Sequence, residues 1–246
     1  MTAHLSAQEL TARKRLCLPL DGIETLEALQ ERVRELSPYI GLFKIGKESF
    51  TRFGPEAVRM IRAAGSDVFL DLKYHDIPAT VKGAVRAAVA LDVAIVNVHA
   101  SGGRAMLEAA VKGLGNSRTK LIAVTVLTSL DDAGLHELGV QENTGEHVLR
   151  LAKLAADVGL HGIVCSAQDL AIIRQSLPSD FLYVTPGISG VGGAVGGDQK
   201  RVMTPGAALQ AGSGILVAGR AITGFDTVEG RCNAAKEILA DMARNV

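Results

Sequence analysis

Two carboxylates and two ammonium groups in this chain are spaced so that they could share one site. Asp71 and Lys73 lie two residues apart at the end of Val68–Leu72, a short apolar, β-branched run that reads as a strand. Residues two apart on a strand point to the same side with Cα atoms ~7 Å apart, a gap that long side chains close. Asp76 follows in a turn that Pro78 ends, and Lys44 falls within a second such run, Leu42–Ile45. Burying several carboxylates is reasonable only when cations lie among them. An alternating Lys44–Asp71–Lys73–Asp76 array holds Lys73 protonated and aims it without committing it to one ion pair. It can donate a proton to a carbanion while presenting negative charge to a departing carboxylate. The plain alternative is a salt-bridge network that stiffens the fold.

A second candidate cluster lies far along the chain. Gly219-Arg220 offers a guanidinium fork matched to a phosphate dianion, and Pro186-Gly187-Ile188 precedes a glycine-dense stretch, Gly187–Gly197. Such a loop can fold over a ligand and present bare amides to it, although long glycine-rich loops are more often surface excursions. Asp198-Gln199-Lys200-Arg201 directly after it favours the functional reading.

These residues need elements to position them. Short apolar runs recur at even spacing: Leu16–Leu20, Leu42–Ile45, Val68–Leu72, Ala94–Val98, Leu121–Leu127, Gly162–Cys165, Phe181–Val184 and Ile215–Ala218. Continuous apolar runs suit strands buried on both faces of a parallel sheet. Amphipathic stretches lie between them. Leu26, Leu29, Val33 and Leu36 share one helical face within Thr25–Leu36, and Val148, Leu151, Leu154, Ala155 and Val158 do so within Gly145–Val158. Pro55 and Pro78 stand where helices start, Gly83–Leu91 is Ala-rich, and Ala234–Ala243 reads as a closing helix. About eight strands alternating with about eight helices in ~250 residues is the arithmetic of a (β/α)₈ barrel, an α/β TIM barrel, here as one domain over residues 1–246. An open doubly wound sheet would show a glycine fingerprint after its first strand, where this chain has Asp21-Gly22-Ile23. In a barrel the chemistry sits at the carboxyl ends of the strands, and phosphate is often held between the loops after strands seven and eight. Asp21, Lys44, Asp71, Lys73, His99, Thr128, Ser129, Pro186, Gly219 and Arg220 all fall at strand ends.

Composition narrows the function classes. The 246 residues carry a formal net charge of zero, so a basic footprint for nucleic acid is absent, and 48% of them are apolar, enough for a sizeable core. Cys17, Cys165 and Cys232 are odd in number, far apart and without a CxxC pair, which suits a reduced, cytoplasmic protein; Cys165 reads as packing rather than nucleophile. No segment approaches the ~18 consecutive apolar residues of a membrane span, and the first ten residues lack a signal peptide's apolar stretch. His75 and His99 have neither an HExxH pattern nor a cysteine at ligand spacing, so no metal site is expected, and His99 reads as a hydrogen-bonded residue at a strand end. Gly190–Gly197 does not open a helix directly after a strand, so it is a weak dinucleotide signal.

Phe69-Leu70-Asp71-Leu72-Lys73-Tyr74-His75-Asp76-Ile77-Pro78-Ala79-Thr80 resembles the signature of the orotidine 5′-phosphate decarboxylase family, bacterial type. Leu20-Asp21, Phe43-Lys44-Ile45-Gly46, His99-Ala100, Val124–Ser129, Pro186-Gly187-Ile188, Asp198–Arg201 and Gly219-Arg220 follow in the family's order over nearly the whole chain. The resemblance implies decarboxylation of orotidine 5′-phosphate to uridine 5′-phosphate without a cofactor or metal. It implies that Lys73 protonates C6, Asp71 sits beside the substrate carboxylate, Lys44 ties the array together and reaches the ribose, and Asp21 accepts from the ribose hydroxyls. Thr128 or Ser129 would read the pyrimidine, Gln199 would bridge base and phosphate, and Arg220 would hold the phosphate, with Ile77, Pro186, Ser189 and Gly219 among the substrate contacts. It further implies a homodimer in which Asp76 and Thr80 reach into the partner's site. Three positions depart from the pattern: Ala79 where Asn is usual, Ser189 where Arg is usual, and Pro19 in place of a small residue. Ser189 removes a second cation near the phosphate and leaves Arg220 as the main one. The rivals are a sugar-phosphate decarboxylase or aldolase-type barrel using Mg²⁺, which has no need of Thr128, Ser129 and Gln199, and a nucleotide-binding module, which has no need of Lys73 between two aspartates.

Overall fold

The computed structural model describes residues 5–191 and 203–246. Eight parallel strands close into a barrel in chain order. They are β1 (Leu16–Pro19), β2 (Leu42–Gly46), β3 (Asp67–Tyr74), β4 (Ile95–His99), β5 (Lys120–Val124), β6 (Gly162–Val164), β7 (Leu182–Thr185) and β8 (Ile215–Val217). β1 pairs with β8 through Leu16↔Leu216 and Cys17↔Val217, which completes the ring and leaves no edge strand.

The uninterrupted apolar runs have their physical reason in this closure. Alternate residues point into the barrel, where Cys17, Leu42, Phe69, Ile95, Ile122, Val184 and Ile215 form one buried cluster. Their neighbours, among them Leu18, Phe43, Val68, Leu70, Val96, Leu121 and Leu216, point outward into a second cluster beneath the helices. Below the barrel mouth both faces of the strands are therefore dry, and strict polar alternation would be costly.

The helices begin where the local chemistry favours it. Thr25 caps Leu26–Leu36 by accepting from the Ala28 amide at 3.1 Å, and Leu29, Val33 and Leu36 form its buried face. Asn143 and Glu146 close a reciprocal capping box on Thr144–Asp157. Pro55 and Pro78 each open a helix, Pro55–Ala63 and Pro78–Ala90.

Among the elements that differ from the sequence expectation, three are instructive. β5 ends at Val124 rather than Leu127, because the Thr125 hydroxyl donates to the Val164 carbonyl at 3.1 Å and the chain turns away over the barrel mouth. The closing helix starts earlier, at Val228, capped by Thr227. A short helix, Ala7–Arg13, packs on it; it has a capping box from Ser6 and Glu9 but buries only Ala12, so its apolar periodicity is too faint to read. No helix among the described residues is long and apolar enough to cross a membrane.

One close approach holds β6 in place. A β-carbon on Gly162 would collide with the Leu182 carbonyl and side chain of β7. Gly162→Ala is therefore expected to destabilise the barrel by about 1–3 kcal/mol, the usual range for overpacking. A fall in the urea midpoint at unchanged slope checks this.

Candidate active site

The site is the next inward layer of the barrel above its apolar plug. Moving two residues along each strand takes Leu42 to Lys44, Phe69 to Asp71, Ile95 to Asn97, Ile122 to Val124, Val184 to Pro186 and Ile215 to Val217. The layer is polar from β2 to β4 and apolar from β5 to β8. Above it opens a cavity of about 850 Å³. Asp21, Lys44, Asp71 and Lys73 line one side, and Val124, Val126, Val164, Val184, Ile188 and Val217 line the other. Gly219, Arg220 and Ala221, where a short helix begins after β8, lie on the same wall as Thr223 to Phe225.

At the polar side Asp71 is the hub. Its Oδ2 meets Lys44 Nζ at 3.2 Å and its Oδ1 meets Lys73 Nζ at 2.7 Å. Lys44 in turn meets Asp21 Oδ2 at 3.2 Å. Gly46 makes this packing possible, because a β-carbon there would lie 2.8 Å from Asp21 Oδ1 and 3.1 Å from Lys44 Nζ. Burial alone would raise the Asp71 carboxyl, but the charges of Lys44 and Lys73 and hydrogen bonds from Lys73 and Asn97 outweigh it, so the group stays below its ordinary value. Burial would likewise lower Lys44, yet Asp71 and Asp21 hold it above its ordinary value. Asp71 and Lys44 are thus ionised together.

β3 is not a regular strand where it carries this chemistry. Leu70 pairs with Val96 and Tyr74 with Val98, so Asp71, Leu72 and Lys73 bulge opposite the single residue Asn97. Lys73 has a φ of 51°, in the left-handed region. The Asp71–Lys73 contact thus comes from a kinked backbone and not from the even pleat that the two-residue spacing suggests. Asn97 is fully buried; its Oδ1 accepts from the Lys73 amide at 2.8 Å and its Nδ2 donates to Asp71 Oδ1 at 2.6 Å. Sequence reasoning passed over Asn97 inside an apolar run. The signal was there: a lone amide in Ile95-Val96-Asn97-Val98 has to find partners once buried.

The other expected site residues divide. Asp21, Thr128, Pro186, Ser189, Gly219 and Arg220 line the cavity together with Lys44, Asp71 and Lys73. The Ser189 hydroxyl donates to the carbonyls of Gly190 and Met203, at 3.1 and 3.3 Å. Ser129, Asp76, Ile77 and Thr80 are exposed and do not line this cavity, and Ile77 is 67% exposed. Asp76 accepts from the Ile77 amide at 2.6 Å. Gln199 and its neighbours Asp198, Lys200 and Arg201, with most of the glycine stretch, lie outside the described residues. His99 packs its ring against His75 with centroids 5.6 Å apart; burial, then His75, Lys47 and Lys73, push it down to about 4, so it is neutral near pH 7. Cys165 sits just past β6 on the apolar wall. Among the described residues no group of three or more His, Cys, Asp or Glu is arranged to hold a metal ion.

Residues 14–235 match the family described as Orotidine 5′-phosphate decarboxylase / HUMPS. The chain is similar to the orotidine 5′-phosphate decarboxylase of Syntrophus aciditrophicus, 45% identical with 100% of this chain and 99% of that relative covered. It is 49% identical to that of Pseudoalteromonas translucida, covering 95% and 97% of the two chains. The crystal structure of orotidine 5′-phosphate decarboxylase from Lactobacillus acidophilus superimposes with a TM-score of 0.79 at 34% identity, over 92% of this chain and 98% of that one.

The charge network makes folding pH-dependent at both ends. Asp71 is depressed on folding, so its contribution is present above its ordinary value of 3.8 and is lost as pH falls through the lower folded-state value. Lys44 is raised, so its contribution is complete below 10.5 and is lost as pH rises through the higher folded-state value. Replacing the hub, Asp71→Ala, leaves the part-buried ammonium groups of Lys44 and Lys73 without it. We expect this variant to melt below the wild type at pH 7 and the difference to shrink in strong acid. Melting curves across pH check this.

Proposed function

The chain belongs to the orotidine 5′-phosphate decarboxylase / HUMPS family, and we infer from that premise how its site works. It converts orotidine 5′-phosphate to uridine 5′-phosphate and carbon dioxide, the last step of UMP synthesis. The observation that carries the mechanism is the Lys44–Asp71–Lys73 array facing an apolar wall with Arg220 on the same cavity. The flat faces of a pyrimidine ring suit the apolar side, its carboxylate lies towards the array, and the 5′-phosphate lies towards Gly219-Arg220.

In the reaction the bond between C6 and the carboxyl carbon breaks, its electron pair stays on C6, and carbon dioxide leaves. Lys73 faces that developing charge with a fixed ammonium and delivers its proton to C6. Asp71 holds the Lys73 ammonium at 2.7 Å and lies beside the departing carboxylate. Lys44 and Asp21 take the ribose hydroxyls, and Thr128 lies where the base is read. Gln199, Pro186 and Ser189 complete the assignment of substrate contacts, Ser189 by position through backbone or hydroxyl, and Thr128, which lines the cavity, is favoured over the exposed Ser129. Binding energy gathered at the distant phosphate helps to fix the geometry at C6. A Mg²⁺-dependent sugar-phosphate enzyme would need strand-end carboxylate oxygens for its ion, whereas Asp21 and Asp71 meet lysine ammoniums here.

The working unit is a homodimer. Asp76, Ile77 and Thr80 stand exposed at the start of Pro78–Ala90, outside their own cavity. That placement supports a role for Asp76 and Thr80 in the partner's site.

Loss of orotidylate absorbance at an unchanged rate in EDTA tests the reaction. Lys73→Ala should abolish turnover and leave uridine 5′-phosphate binding measurable by calorimetry; turnover retained in that variant would remove Lys73 from its role. A mixing experiment tests the shared site. Inactive Lys73→Ala and Asp76→Ala chains, refolded together, should recover about a quarter of wild-type activity, since each mixed dimer holds one intact site. If Asp76 served its own barrel, the mixture would stay inactive.

A further inference from the structure

We propose that Asn97 is a positioning residue that sets where the Lys73 ammonium points, by holding the bulge of β3 and the Asp71 carboxylate in one grip. The proposal rests on the decarboxylase reading above and deepens it. A bulge frees backbone groups from the ladder, and here it opens opposite Asn97 alone. The Lys73 amide, taken out of its β4 pairing, is recovered by Asn97 Oδ1 at 2.8 Å. Lys73 also carries a φ of 51°, a conformation unfavourable for an L-residue that persists only where neighbours hold it.

The other end of the amide acts on the carboxylate. Asn97 Nδ2 and Lys73 Nζ both donate to Asp71 Oδ1, at 2.6 and 2.7 Å, while Oδ2 meets Lys44. Asn97 thereby fixes the rotation of Asp71 and assigns one oxygen to each lysine. The chemistry of the two partners leaves little choice of side chain. A backbone N–H can only donate and a carboxylate can only accept, so the group between them must do both at once. An amide of this length does so without charge. A carboxylate there would face Asp71, and an apolar residue would leave the Lys73 amide without its acceptor and take one of two donors from Asp71 Oδ1.

A role confined to folding would also explain a satisfied, buried Asn, so the test reads chemistry separately from stability. Asn97→Ala should lower kcat by about 10²-fold, the scale of an ångström's misplacement, with KM and uridine 5′-phosphate affinity nearly unchanged. Asn97→Asp preserves shape and guards against a variant that fails to fold. When protonated it can donate to Asp71 and accept from Lys73 as the amide does; when ionised it repels Asp71. Its kcat should therefore fall with rising pH over a range where the wild type is flat. A kcat within about threefold of wild type in Asn97→Ala, or parallel pH profiles in both variants with only the melting temperature lowered, would overturn the proposal. If the wild type itself does not decarboxylate the nucleotide, the functional reading fails separately. Carbon-13 titration of Asp71 then decides for Asn97: the carboxyl should titrate higher in Asn97→Ala, and no change would sink the idea.

Discussion

A carboxylate buried at the mouth of a barrel is the constraint on which the site depends. Asp71 lies on a strand whose inward neighbour below it is Phe69, in a place that an isolated charge could not occupy at modest cost. It is kept ionised by Lys44, Lys73 and Asn97. Each of those groups is held in turn by another strand or by the bulge. Lys44 comes from β2, Asn97 from β4 and Lys73 from the kinked end of β3 itself. The position of the ammonium is therefore a consequence of how three neighbouring strands are registered.

The barrel supplies that registration cheaply because its layers are separable. The lower interior is apolar and its closure holds all the strands together. The layer above it can then carry charge on one side and valines on the other without endangering the core. This asymmetry suits a ligand with a small anionic group at one end, a flat apolar body and a second anion at a distance. Stability at the base and chemistry at the mouth are divided along the same strands.

The shared use of backbone and side chain is sharpest at Lys73. A left-handed lysine with its amide outside the ladder would be unfavourable in an ordinary strand. Here the bulge accommodates a 2.7 Å contact between Asp71 and Lys73. Asn97 makes that local strain compatible with burial by bonding both the backbone and the carboxylate. Such an arrangement gives the ammonium a fixed place, which is what electrostatic stabilisation of a developing charge requires.

Much of this was legible in the residues themselves. Eight apolar runs between amphipathic stretches determined a closed parallel barrel, because strands buried on both faces tolerate such runs, and the strand-end places of Asp71, Lys73 and Lys44 marked the groups that meet at its mouth. Local signals also marked the starts of helices, as Thr25, Asn143, Pro55 and Pro78 show. What the residues alone could not decide were features made by register between strands distant in sequence. The bulge of β3 exists only against β4, the end of β5 only against β6, and the role of Asn97 only where both of its partners are 26 and 24 residues back along the chain. Period and composition report which face a residue takes. The oxygen that a given ammonium meets is decided by tertiary structure, because tenths of an ångström there depend on how the neighbouring strands lie.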